Sequence, residues 1–318
     1  MINYEEINLA KINNLCKVEE IANKVIEDLE EYSKSIWEVK DMPNFLPYYL
    51  KMKGKRTRLI KMILAARITG GITKDIFKVM TALEFANSAI FLHDDIIDHD
   101  IERKGKPTMN GLIGYEKAIL VGNILHALTF NEISQIKNDQ LRKTVLSEFS
   151  RALYLEHVGQ YMDLDLRWNF KGDLKKWETM VLRHSGFYVM AALKSIAILN
   201  NADKKIVNAF EKYEENCALA GAAEDAILGF NGKKNKGDLK NGTFTILVNF
   251  ALNGDHYNIP HTGNELEKRI NLTLAIEEAQ EYVKDKVSKA IDALAPIPNC
   301  EEKKALIFLA NQIAEVAK

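Results

Sequence analysis

Residues 79–100 read VMTALEFANSAIFLHDDIIDHD, and their pattern decides how the chain folds. Apolar side chains recur at helical spacing from Val79 to Leu92, and the run then ends in Asp94, Asp95, Asp98 and Asp100. On a helix Asp94 and Asp98 stand at i and i+4, so both carboxylates point the same way, one turn apart. Two carboxylates so placed repel each other, and a divalent cation relieves the repulsion. Mg²⁺ suits the spacing, because it is commonly held by one or two carboxylates together with substrate phosphates. A solvated acidic helix end is the plainer reading of such a run. Here an apolar helix leads into it and a basic segment, Arg103-Lys104-Gly105-Lys106-Pro107-Thr108, follows directly.

Outward from this stretch the helical period continues in both directions. Stripes run through Leu59–Arg67, Phe77–Asp98, Tyr115–Ile136, Leu141–Leu166, Leu174–Leu199 and Ile206–Leu228. A further face is formed by Leu266, Ile270, Leu274, Val283, Val287, Ile291 and Leu294. Breaks fall at Pro43–Pro47, Thr69-Gly70-Gly71, Lys104–Gly114, Asn169–Gly172, Asn200–Asp203, Asn231–Gly242, Asn253–Gly263 and Pro296–Asn299. Thr73 and Asp203 stand where N-caps belong. Only 6 of 318 residues are proline, and none lies between Pro107 and Pro260. Chains of many short strands spend Pro and Gly on turns, so this composition argues against an all-β fold. The expectation is an all-α chain of about ten or more helices in a single domain over residues 1–318.

Lys+Arg 43 against Asp+Glu 44 leaves a net charge of −1. No global field draws nucleic acid or an anionic membrane, so anion binding has to come from a local cluster. Cys16, Cys217 and Cys300 make neither a CxxC pair nor a disulfide framework, and a reducing cytoplasm is expected. The amino-terminal MINYEEINLAKINN lacks the basic and apolar regions of a signal peptide. No apolar run approaches the ~18 residues of a membrane span.

The basic segment after the acids is either surface pairing, which is worth little, or a grip on phosphates that bridge to the metal, for which arginine offers a planar fork. An earlier cluster, Lys53-Gly54-Lys55-Arg56-Thr57-Arg58, opens another helix, and helix starts with Gly and cations favour anions. His93-Asp94 also forms the HD doublet of metal phosphohydrolases. Those need a histidine upstream, and His93 is the first in the chain.

Taken together these segments resemble the trans-isoprenyl diphosphate synthase (polyprenyl synthetase) family, in order along nearly the whole chain. Gly54-Lys55-Arg56-x-Arg58 resembles its GKRxR segment, Asp94-Asp95-x-x-Asp98 its first DDxxD motif, and Arg103-Lys104-Gly105-x-Pro107-Thr108 its RRGxPT. Gly159-Gln160-x-x-Asp163-Leu164 matches GQxxDL, and Lys234 to Asp238-Leu239 with Gly242-x-x-Thr245 resembles the late K…DL..GKxT segment. The resemblance implies an isoprenoid synthase-type helical bundle around a central cavity. It further implies catalytic Asp94, Asp95 and Asp98, with Mg²⁺ on Asp94 and Asp98 acting on the leaving diphosphate of an allylic prenyl substrate. Gln160 and Asp163 would support the metal site. Arg103 would hold the allylic diphosphate, and Lys55, Arg58 and Lys104 that of isopentenyl diphosphate. Asn87, Gln160, His184 and Lys234 complete the implied substrate contacts. The family also implies a homodimer.

The departures from the family pattern are concentrated. Its second DDxxD should fall near residue 225, where the chain reads Gly221-Ala222-Ala223-Glu224-Asp225-Ala226-Ile227-Leu228-Gly229. Only Asp225 matches. Glu224 is no simple substitute, because neighbours on a helix point ~100° apart. The family's KT lysine is His184, the usual histidine seven residues before the first motif is Asn87, and the second arginine of RRG is Lys104. The GKxT lysine is Thr243, and the usual GD pair reads Gly122-Asn123. The cyclase pattern NSE or DTE would fall on Asp225, Gly229 and Lys233, and lysine offers no oxygen to Mg²⁺. Small Ala89 five residues before Asp94 argues for an open cavity and a longer tail. The expected function is a Mg²⁺-dependent prenyltransferase with altered acceptor or reduced elongation. The alternatives are a regulatory subunit paired with an active synthase in a heterodimer, and an enzyme that cyclises or releases diphosphate.

Overall fold

Thr73 starts the helix that the acidic motif ends. Its hydroxyl accepts from the Ile76 amide at 3.2 Å, satisfying one of the unpaired N–H groups of a helix start. In the computed structural model the described residues are 56–103, 105–232, 237–254 and 260–317, with scattered positions between 22 and 48. Among these the chain is helical apart from one two-stranded hairpin. The helices are α1 (Thr57–Thr69), α2 (Lys74–Ile97), α3 (Met109–Ile113), α4 (Tyr115–Ser134), α5 (Asp139–Leu166), α6 (Leu174–Val181), α7 (Phe187–Leu199) and α8 (Lys204–Phe230). They continue as α9 (Gly237–Asn241), α10 (Ile246–Leu252), α11 (Gly263–Asn271), α12 (Ala275–Ala293) and α13 (Glu301–Val316). The all-α expectation holds.

The fold divides into two compact units, residues 1–147 with 195–202 and residues 148–194 with 203–318. In the first, α2 packs along α4. Phe85, Ala89 and Leu92 meet Ala118, Val121 and Leu125, each set at the three- and four-residue spacing of one helix face. Gly122 belongs to this seam for a steric reason. A Cβ there would fall on the His93 imidazole, which instead lies against His126 with ring centroids 5.4 Å apart. The end of α1 is tied down by Asn200, whose amide donates to Ala66 O at 3.3 Å, Thr69 Oγ1 at 3.0 Å and Gly71 O at 3.0 Å.

The second unit is built on α8 packed against α12, with α13 covering both. Ala279, Val283, Val287 and Ala290 form the buried stripe of α12. Tyr213 on α8 donates to the Leu306 carbonyl at 2.7 Å. Glu178 on α6 accepts from Tyr282 Oη and Lys286 Nζ, both at 2.7 Å, which fixes α6 to α12.

Three local features differ from the periodicity. Leu274 does not join the buried face. It is 67% exposed in the turn between α11 and α12, so the pattern belongs to two helices rather than one face. Asp203 is the residue before α8 but makes no side-chain cap. The single stripe Leu174–Leu199 is interrupted by a π-helical segment, Leu182–Gly186, which inserts a wider turn between α6 and α7. That segment presses against α5 at Gly159, where a Cβ would fall on the His184 backbone nitrogen.

Glycine therefore means opposite things at two helical positions. Alanine in a helix interior is favoured over glycine by roughly 0.5–1 kcal/mol. Gly221, with nothing within 4 Å of an added Cβ, should follow that rule, and Gly221→Ala should raise the denaturant midpoint. At Gly159 the obstacle is backbone. Overpacking costs about 1–3 kcal/mol and outweighs propensity, so Gly159→Ala should lower the midpoint. Equilibrium unfolding with an unchanged slope checks both.

Candidate active site

Along α2 the residues Glu84, Asn87, Phe91, Asp94 and Asp98 alternate spacings of three and four, which places them on one face. Glu84 is buried. Burial pushes its carboxyl pKa up, opposed by the nearby charges of Arg56 and Arg58. Arg58 enters from the first turn of α1 and donates through Nη1 to Asn87 Oδ1. Its guanidinium carbon lies 5.2 Å from the centroid of Phe91. On the far side of the motif Arg103 comes back to the same ring at 5.4 Å. Its Nε donates to Asp95 Oδ1 at 2.6 Å. The Asp95 side chain is fully buried and that of Arg103 is 29% exposed.

The turn that returns Arg103 is built by the residues after the motif. His99 takes a left-handed conformation at φ 58° and reverses the chain. The Asp100 carbonyl accepts from Thr108 Oγ1 and Asn110 Nδ2, both at 2.8 Å. Thr108 also caps α3, accepting from Gly111 N. Glu102–Arg103 pairs antiparallel with Lys106–Pro107, and Gly105 turns between them at φ 73°. The Pro-Thr pair thus locks the loop that aims Arg103.

Asp94 lies in the last turn of α2, and Asp98 is its C-cap with near-helical angles. Both are partly exposed, and Asp98 N–H bonds to Asp94 O at 2.8 Å. Two oxygen-bearing side chains one turn apart fit a hard divalent cation such as Mg²⁺. The two guanidiniums gathered at Phe91 fit an oligo-anion that such a cation would also contact. Each cation–π contact is worth ~0.5–2 kcal/mol, depending on desolvation.

The remaining expected residues lie in the second unit or outside the description. Gln160 and Asp163 follow Glu156 along one face of α5, and all three are buried. Asp163 Oδ2 accepts from Arg167 Nε at 2.9 Å and Nη2 at 2.7 Å, so this carboxylate is engaged by its own helix neighbour. His184 stands in the π-helical segment. In the degenerate second motif Asp225 is exposed, whereas Glu224, Ala226 and Gly229 are buried. Lys55, Lys104 and Lys234 lie outside the described residues. Motif reasoning missed Glu84, Phe91 and Glu156. The first two were findable from the alternating spacing that leads back from Asp94. Glu156 had its signal in standing one turn before Gln160.

Comparison with known proteins follows the same lines. The family model described as polyprenyl synthetase matches residues 39–287. The chain is 26% identical to the short chain isoprenyl diphosphate synthase of Methanocaldococcus jannaschii over 238 residues, 73% of this chain and 72% of that protein. It is likewise 26% identical to a geranylgeranyl diphosphate synthase of Saccharolobus solfataricus, covering 92% of this chain and 95% of the relative. Among solved structures, the geranylgeranyl pyrophosphate synthetase from the archaeon Geoglobus acetivorans superposes with a TM-score of 0.83 at 24% identity. The superposition covers 94% of this chain and 99% of the other.

Asp95→Asn weakens a charge-assisted bond worth ~1.5–3 kcal/mol and should lower the melting temperature. Asp98→Asn should weaken Mg²⁺-dependent binding of inorganic diphosphate, read by calorimetry. Glu84 titrates with a raised folded pKa, so the native state holds its proton longer than the unfolded chain. Stability from this group is therefore lost as pH rises from the ordinary glutamate range through the folded pKa. Glu84→Gln should become more stable relative to the parent across that window, as unfolding at successive pH values would reveal.

Proposed function

The chain belongs to the polyprenyl synthetase family, and on that premise we propose that it transfers the prenyl group of an allylic isoprenoid diphosphate in a Mg²⁺-dependent reaction, with an altered acceptor or reduced elongation. The enzyme class is that of the family, whose named members are prenyl diphosphate synthases, which are transferases. The observation that carries the reading is the face of α2. It offers Asp94 and Asp98 as oxygen donors, with Arg58 and Arg103 held at Phe91 beside them.

In this reading Asp94 and Asp98 hold the ion and Arg103 binds the allylic diphosphate, kept in place by buried Asp95. Asp95 is then a positioning residue. Arg58, oriented by Asn87, meets the second diphosphate where the acceptor is isopentenyl diphosphate. Bound Mg²⁺ supplies Lewis-acid stabilisation of the departing diphosphate. The guanidiniums stabilise the same developing charge without reorganising, since their positions are set before substrate arrives. Loss of the C–O bond leaves an allylic cation for attack by the acceptor double bond, and the new cation so formed loses a proton to the departed diphosphate or to water.

The restriction on elongation rests on α8. Asp225 is the one matching carboxylate, and Ala226 and Gly229 are small buried positions. These same residues support the second reading, a regulatory subunit paired with an active synthase. Self-association as a homodimer is part of the first reading. It is supported by apolar side chains left in water, Ile119 and Leu120 on α4 and Tyr154, Tyr161 and Leu164 on α5. No described helix is long and apolar enough to cross a membrane. Cytoplasmic residence is proposed with it, supported by the three widely spaced cysteines of the sequence, which make no disulfide framework.

Diphosphate release should be followed with allylic diphosphates of increasing chain length, with and without isopentenyl diphosphate. The expected result is Mg²⁺-dependent release that falls by roughly a hundredfold in Asp94→Asn, the scale of removing one transition-state contact. Release without a coupled product would assign cyclisation or hydrolysis instead. If no mixture yields diphosphate, the transferase reading falls and the subunit reading stands.

A further inference from the structure

We propose that Glu156, His184 and the side-chain oxygen of Gln160 form a second divalent-cation site, within the second unit and suited to a transition ion such as Mn²⁺, Co²⁺ or Zn²⁺. The inference rests on the geometry of that unit and does not depend on which substrate the protein takes.

Glu156 and Gln160 are separated by one turn of α5, so they share a face. Both are deeply buried, at 4% and 8% exposure. The π-helical segment carries His184 against this face because Gly159 has no Cβ to hold it away. A carboxylate oxygen of Glu156 and a ring nitrogen of His184 lie within 4.8 Å of each other. Small side-chain rotations bring two such atoms to the ~2.0–2.2 Å of ligands sharing one ion.

Two further observations point to a ligand at this place. Gln160 Oε1 is fully buried and has no hydrogen-bond partner among the described residues. A buried amide oxygen left unsatisfied is costly, and an amide oxygen is a ligand for a hard or borderline cation. The second observation concerns orientation. His157 Nδ1 stands 2.8 Å from the Leu153 carbonyl and 2.8 Å from Glu156 Oε2. Both neighbours are acceptors, so Nδ1 carries the proton and donates to the carboxylate. Such an outer hydrogen bond is how metal-ligating carboxylates are commonly oriented.

Asp163, the next polar residue on this face, is engaged by Arg167. Arg183, next to His184, directs Nη1 to Met162 Sδ at 3.2 Å. An imidazole–carboxylate–amide set favours a transition ion over Mg²⁺, which takes oxygen ligands almost alone. His184 occupies the place of the lysine in the family pattern, so an ion held there returns positive charge where a fixed ammonium is missing.

The test uses the full chain with Asp94→Asn and Asp98→Asn, which removes the first acidic motif as a competing ligand set. Mn²⁺ is titrated and the bound ion examined by electron spin echo modulation for coupling to imidazole nitrogen. The expected result is one bound Mn²⁺ per chain with nitrogen coupling. His184→Lys should remove the coupling and weaken binding by roughly tenfold or more, the usual effect of losing a ligand or its support. Glu156→Gln should weaken binding similarly while the coupling persists in whatever ion remains bound. Circular dichroism of each variant verifies the fold, and His184→Gln replaces His184→Lys if the latter does not fold. Absence of nitrogen coupling in the Asp94→Asn/Asp98→Asn protein, or coupling that survives the loss of His184, overturns the proposal. Either outcome leaves Mg²⁺-dependent turnover by the unaltered chain untouched, so this inference and the transferase reading fail separately.

Discussion

Acidic side chains stabilise the amino end of a helix and destabilise its carboxy end, where the backbone carbonyls already concentrate partial negative charge. Helix α2 breaks this rule, with Asp94 and Asp95 in its last turn, Asp98 as its cap and no basic residue among them. Everything around the site follows from relieving that crowding. The chain reverses at His99, the Thr108 and Asn110 side chains clamp the Asp100 carbonyl, and the hairpin returns Arg103 to buried Asp95. Asp95 is thereby paired with a guanidinium. Asp94 and Asp98 stand one turn apart and partly open to solvent, an arrangement that a divalent cation would stabilise.

Phe91 gives the positive side of the site its shape. Guanidiniums repel one another, so gathering Arg58 and Arg103 at one place needs an attractive surface common to both. An aromatic ring is such a surface, and Asn87 and Asp95 fix the direction of each arginine on it. The Asn87 amide and the Asp95 carboxylate hold the two guanidiniums in position before any ligand arrives.

Much of this was legible in the sequence, for reasons that can be located. Helices with one buried face declare themselves by period, as Phe85, Ala89 and Leu92 do, and Thr73 announces the start of α2. Acid and basic motifs are contiguous, so their chemistry is read without knowing the fold. What was hidden depends on contact between distant positions or on subtle backbone change. The π turn at Leu182–Gly186 leaves little trace in hydrophobic period, because the sequence after it, FYVMAALKSIAIL, is apolar on nearly every face and shows no phase to shift. Its consequence, the close approach of His184 to α5, is visible at Gly159 only once the backbones are seen together. Leu274 misled because an isolated leucine at the right spacing looks the same whether the helix continues or stops.

The departures from the family pattern then form a connected argument about charge. A diphosphate brings several negative charges, and binding it in a partly dehydrated site demands cations in comparable number. The family pattern supplies them from fixed lysines and from ions on two acidic motifs. In this chain His184 replaces one lysine and Thr243 another, while the α8 motif keeps only Asp225. Substitution of lysine by histidine alone would lower affinity for the polyanion. Paired with buried Glu156 and the unsatisfied oxygen of Gln160, the same substitution exchanges a fixed charge for a ligand set.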